Sequence, residues 1–235
     1  GLFLNDRQID KKDCANWNAA HRTLMNPTVE AAVFENGFDV ILNQGLAYDS
    51  CQVGVITNID PEHHFGRNGI ESQKQVFTVL RTQVDVVTPT AAAIDDVNKD
   101  IKLPIGAAIL RAEDEMLVEI AELCHGEVIY FSRNPDLPVL VQHCNQGTGP
   151  TQGRRAVAIR NNNIILITGS EESPLIDLSE IIAEQHKPDT VTIENILAAI
   201  ATAWALGIEP DLLQTGIKSF RFNPTTITSE IKIFH

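Results

Sequence analysis

Val53-Gly54-Val55-Ile56-Thr57-Asn58, running into Ile59-Asp60-Pro61-Glu62-His63-His64-Phe65-Gly66, is the stretch whose reading decides the fold. Its first half is a near-continuous apolar, β-branched run, as a strand buried on both faces of a parallel sheet requires. Its second half turns polar at once and enters a loop marked by Pro and Gly. Residues 31–35 (AAVFE) have the same character and are predicted as a second buried parallel strand, closed by Glu35. In an open parallel sheet, ligands sit beyond the carboxyl ends of the strands. That rule directs attention to Glu35, to Thr57-Asn58, and to a loop holding two carboxylates and two imidazoles. A carboxylate from one strand end and an imidazole from the neighbouring loop could share a Mg²⁺ or Mn²⁺ ion, although imidazole is a less usual Mg²⁺ ligand than oxygen. Spacing alone favours a blander reading, in which Glu62 and His63 cap the loop and Glu35 satisfies backbone donors.

Outward from this stretch the pattern alternates. Residues 71–86 are predicted as a helix with Val76, Val79, Leu80 and Val84 on one face, and 113–123 as another with Met116, Leu117, Ile120 and Leu123. Residues 1–5 and 127–132 read as strands. Residues 156–160 and 164–168, separated by three Asn, read as a hairpin, and 175–178 as a further short strand. Two helices follow, with Ile193, Leu197, Ile200 and Trp204 as one apolar stripe and Leu213, Ile217 and Phe220 as the next. The predicted class is α/β, a mainly parallel sheet flanked by helices with a small antiparallel β appendage. Residues 1–220 form the predicted domain and 221–235 a stub. Residues 91–105 and 146–153 are predicted as loops, the former on the surface.

The chain has 235 residues and a formal net charge of -13. That length suffices for a substantial core, and the acidity argues against nucleic acid or an anionic membrane as partner. No apolar run approaches membrane-spanning length. Four Cys without a C-x-x-C pair, and no Asn-x-Ser/Thr outside Asn-Pro-Thr, fit the cytoplasm. The apolar start at Gly1 and the apolar run just before His235 suggest a fold cut at both ends. A homo-oligomer is compatible with the sequence and not fixed by it.

Thr57-Asn58-Ile59 with Glu62-His63 resembles the T-N-I-x-x-D-H segment of the Mur-type ATP-dependent ligases, and most closely that of the cyanophycin synthetase branch. The resemblance runs through Asn26-Pro27-Thr28-Val29-Glu30 and the run to Glu35, and through Gly45-Leu46-Ala47-Tyr48-Asp49. It continues in Cys51-Gln52-Val53-Gly54-Val55, Tyr130-Phe131-Ser132 and Glu194-Asn195-Ile196-Leu197, and ends with Thr215-Gly216-Ile217-Lys218-Ser219-Phe220. It implies a Mur-ligase central domain, ATP and Mg²⁺ as cofactors, and amide-bond formation through an acyl phosphate, with arginine joined to a poly-aspartate polymer. It further implies that Glu35 and His63 are catalytic metal ligands, and that Asn58, Asn195 and Asp114 contact the nucleotide.

Departures qualify that picture. The family's G-x-x-G-K-[ST] phosphate loop occurs nowhere in the 235 residues, so the chain alone is expected to be inactive. Phe38 replaces an Arg, Arg81 replaces a frequent Lys, Arg111 and Thr192 each replace an Asn, and Ser229-Glu230 replaces Gly-Arg. These changes keep two alternatives in play: a divergent, non-catalytic binding or assembly module, and a Mur-type ligase acting on another acceptor.

Overall fold

The computed structural model describes residues 1–4, 7–89, 106–146, 154–184 and 190–220. In chain order the elements are β1 (Leu2–Leu4), β2 (Arg7–Asp10), α1 (Trp17–Leu24), α2 (Phe38–Gln44), β3 (Val53–Ile56), α3 (Pro61–His64), α4 (Gln73–Leu80) and α5 (Thr82–Asp85). Then follow β4 (Ala107–Arg111), α6 (Glu115–Ala121), β5 (Glu127–Phe131), α7 (Pro138–Asn145), β6 (Arg155–Arg160), β7 (Asn163–Thr168), β8 (Glu171–Asp177), α8 (Leu178–Glu184), α9 (Thr190–Ala205) and α10 (Pro210–Ser219). The chain divides into two compact units, one built on Gly1–Asp49 and Phe65–Leu80, the other on Ser50–His64 and Arg81–Phe222.

The larger unit is a six-stranded sheet in sequential order from β3 to β8. β3, β4, β5 and β6 pair in parallel, with Val53 opposite Ala107 and Ala107 opposite Glu127, so their carboxyl ends share one edge. β6, β7 and β8 are antiparallel. The predicted β appendage is therefore continuous with the parallel sheet, and the α/β class holds. Parallel strands need crossovers, which α6 and α7 supply. Ile109, Ile129, Phe131 and Val157 are fully buried and pack with Leu197, Ala201 and Leu213 of α9 and α10. Gly54 lets α5 approach β3 closely: a Cβ there would lie 2.5 Å from the Gln83 carbonyl oxygen. Asn161 and Asn162 turn the β6–β7 hairpin with φ of +50° and +64°, the left-handed pair that a two-residue turn requires. At the opposite edge from the strand carboxyl ends, Arg155 grips Glu127 with two hydrogen bonds (2.8 and 2.5 Å). It also donates to the Trp204 carbonyl at 3.1 Å and stacks over the Trp204 ring, fastening the end of α9 to β5 and β6.

In the smaller unit β1 and β2 form an antiparallel pair. The Asn16 side chain caps α1 by accepting from the Ala19 amide, and α2 packs on α4. The Asn68 amide donates to Asp39 at 2.9 Å.

Two predicted elements are corrected. Residues 31–35 form no strand: Val33 is 99% exposed and Glu35 is exposed as well. An apolar run becomes a strand only where a neighbour accepts its backbone hydrogen bonds, and among the described residues none pairs with this one. Glu35 therefore closes no strand. The helix predicted over 71–86 breaks at Arg81 into α4 and α5, which fall in different units. Its many β-branched residues (Val76, Thr78, Val79, Thr82, Val84) give little helical propensity to hold the two together. The predicted loop over 91–105, most of the loop over 146–153, the stub 221–235 and the Thr192 side chain lie outside the described residues.

Candidate functional site

The carboxyl ends of β3, β4 and β5 carry a connected set of polar groups. After β3 the chain leaves through Thr57 and Asn58, whose side chains are joined by a 3.2 Å hydrogen bond. Ile59 follows, and its amide donates to Asp114 Oδ2 at 3.0 Å. Asp114 is the N-cap of α6. Its Oδ1 accepts from the Met116 amide at 3.0 Å and the Leu117 amide at 3.3 Å, satisfying donors that the first helical turn leaves open. One carboxylate thus ties the loop after β3 to the element after β4.

The loop then forms the short helix α3. Asp60 Oδ1 accepts from the His63 amide at 3.4 Å, so Asp60 takes the capping part that the sequence offered to Glu62 and His63. The His63 side chain is exposed, edge-on to His64 with ring centroids 5.5 Å apart. Glu35 lies in the smaller unit and His63 in the larger. Among the described residues no group of three or more His, Cys, Asp or Glu converges as a metal cluster.

Beyond β4 and β5 a second chain of contacts runs sideways. Arg111 donates to Glu194 at 3.0 Å and approaches Glu113 at 3.4 Å. Glu113 accepts from the buried Ser132 hydroxyl at 2.6 Å and from the Arg133 amide at 3.2 Å. Sequence reasoning noted Arg111 only as a departure and overlooked its partner. The signal was a strand-end Arg and a helical Glu 83 residues apart, a pairing that no local pattern announces.

Asn195, next to Glu194, is exposed and lines a groove of about 440 Å³ between α9 and α10. Its neighbours there are apolar: Ile196, Ala199, Ile208, Leu212 and Phe220. The structure therefore brings the Asn58 loop and Asp114 together, and sets Asn195 on a separate apolar surface. Burial pushes the Cys51 and Cys144 thiols up to about 11, which disfavours their thiolates. Among the described residues no helix is long and apolar enough to cross a membrane.

No protein-family model matches the chain. Cyanophycin synthetase from Geminocystis herdmanii is 29% identical over 235 residues, the whole of this chain and 24% of that protein. Its counterpart from Synechocystis sp. is 28% identical over 239 residues, again 24% of its length. UDP-N-acetylmuramate--L-alanine ligase from Phenylobacterium zucineum is 27% identical over 188 residues, 77% of this chain and 33% of that enzyme. Among solved structures, a pseudomurein peptide ligase type C from Methanothermus fervidus superposes with a TM-score of 0.43 at 17% identity, covering 82% of this chain and 39% of that one. The chain spans about a quarter of the length of the cyanophycin synthetases it matches. From its first residue to its last, the chain is a sequence homologue of a quarter-length stretch of cyanophycin synthetase, and over most of its length of a Mur-type ligase.

Proposed function

We propose that the chain is the nucleotide-handling part of an ATP-dependent ligase that joins an amine to a carboxylate through an acyl phosphate. The finer reading is that the amine belongs to arginine and the carboxylate to the aspartate side chains of a cyanophycin-like polymer, in the cytoplasm. The observation that carries it is the Thr57–His63 segment at the carboxyl end of β3, inside a match that spans the whole chain. Such a reaction depends on positioning and charge stabilisation more than on covalent help from the protein.

Glu35 and His63 are the residues proposed to hold Mg²⁺, which would supply charge compensation to the phosphoryl group. Both side chains are exposed and open to an incoming ion. Asn58 is proposed to face the nucleotide from the strand edge. Asn195 is proposed to read the base, since its carboxamide offers both donor and acceptor beside apolar walls that suit a flat ring.

The test is phosphate release from ATP with arginine and an aspartyl polymer, in protein carrying these residues together with a phosphate loop. His63→Ala should lower turnover at least about 100-fold, the scale of losing one transition-state charge contact. The 235 residues alone should show none. Robust turnover by this chain alone would defeat the phosphate-loop argument. Turnover only with a different acceptor would favour the other-acceptor reading. ATP binding without turnover in the protein with its phosphate loop would favour a non-catalytic module, the reading that Phe38 and Arg111 motivate.

A further inference from the structure

We propose that Asp114 is a positioning residue that acts through the loop after β3. This inference rests on the site reading just given, because it concerns how His63 and Asn58 are placed. Both carboxylate oxygens are already engaged. Oδ1 accepts from the Met116 and Leu117 amides, and Oδ2 accepts from the Ile59 amide. Ile59 follows Asn58 directly and stands two residues before α3 begins. The segment between is largely solvent-facing: Asn58, Asp60 and Glu62 are exposed, and α3 is a four-residue helix with no buried residue. A helix this short draws little stability from its own hydrogen bonds, so contacts to the scaffold set its direction. The Asp114–Ile59 hydrogen bond spans 55 residues of sequence and anchors the loop to α6, whose Leu117 and Ile120 are fully buried. Rigid placement of a ligand-bearing loop requires such a second contact to the scaffold.

The chemistry of the side chain supplies a selective cut. Asparagine caps helices about as well as aspartate but has only one acceptor oxygen, so Asp114→Asn serves the α6 cap or the Ile59 amide and not both. Serine also caps well but is too short to reach Ile59, which makes Asp114→Ser the second variant should the first fold poorly. Amide hydrogen exchange at Ile59, Met116 and Leu117 reports the two halves of the tether separately. Mn²⁺ titration followed by electron paramagnetic resonance, in the full chain, reports the placement of the proposed ligands without any need for turnover.

In Asp114→Ser the Ile59 amide should exchange at least about ten-fold faster while Met116 and Leu117 stay protected, and Mn²⁺ affinity should fall at least about five-fold. In Asp114→Asn at least one of the two, Ile59 or the Met116–Leu117 pair, should lose protection. Unchanged exchange at Ile59 in Asp114→Ser would overturn the tether. A freed Ile59 amide with unchanged Mn²⁺ affinity would show a purely structural contact and overturn the positioning role alone. Absence of Mn²⁺ binding by the wild-type chain would overturn the metal reading, and this inference with it.

Discussion

Acidification from about pH 7 to pH 4 should remove roughly 3 kcal/mol of stability from the wild-type chain that a His143→Phe variant does not lose. His143 sits on α7 with 5% of its surface exposed, edge-on to Tyr130 at a centroid distance of 4.7 Å. Its Nε2 has no hydrogen-bond partner. Burial, reinforced by the nearby Arg154 cation, pushes its pKa down from an ordinary 6.5 to about 4, against the milder opposing pull of the Arg155 and Val128 backbone and of Glu127. The unfolded chain thus takes up a proton near pH 6.5 and the folded chain only near pH 4. Between those values the unfolded state binds more protons, so stability is fully present above about 6.5 and drains away as the pH falls towards 4. About two and a half pH units, at roughly 1.4 kcal/mol each, give the stated loss. Phenylalanine fills nearly the same volume without the buried nitrogen, so the two proteins should differ by less than about 1 kcal/mol at pH 7. Urea unfolding followed by circular dichroism at four or five pH values gives both curves, and their difference cancels the carboxylates common to the two. Parallel curves, or an NMR titration of His143 centred near 6.5, would refute the reasoning.

Arg155→Ala should cost about 3 kcal/mol in the same unfolding assay, because it strands the Glu127 carboxylate, frees the Trp204 carbonyl and removes the ring stacking in one step. A cost below about 1 kcal/mol would mean that the end of α9 is held by its apolar packing alone. Gly54→Ala should destabilise the chain by about 1–3 kcal/mol, since the new methyl group meets the Gln83 backbone and α5 must move outward. A neutral result by thermal denaturation would show that α5 yields without cost.

How much of this was legible follows from the range of each interaction. β3, β5, α6 and the β6–β7 hairpin are encoded by local period and turn chemistry, and their residues sit where the sequence puts them to within a few positions. Residues 31–35 misled because β-branched and apolar composition describes what a strand needs from its side chains, not whether a neighbour exists for its backbone. The helices α2 and α7 were overlooked; each is short and lacks a side-chain cap, and Asp39 in the first turn of α2 and Pro138 at the start of α7 are weak signals by themselves. The loop after β3 was placed correctly, yet what fixes it was not visible. Asp114 entered only through the resemblance, as a nucleotide contact, and only the fold shows that its second oxygen reaches back 55 residues to Ile59.

The change from parallel to antiparallel pairing at β6 also sets an order of assembly. β6, β7 and β8 are joined by turns of two residues each, at Asn161-Asn162 and at Gly169-Ser170, so their pairing closes very small loops. Pairing β3 with β4, or β5 with β6, must first close loops of tens of residues, and that entropic cost precedes any reward from burial. The three-strand meander is thus the part of the sheet with the lowest kinetic barrier, and it supplies an edge on which β5 can dock at Tyr130 and Phe131. Strand β3, which carries the candidate site, lies three positions from the near edge of that meander in strand order, and should be the last to be captured. Mutations in the meander should therefore slow folding, whereas those around β3 should chiefly speed unfolding.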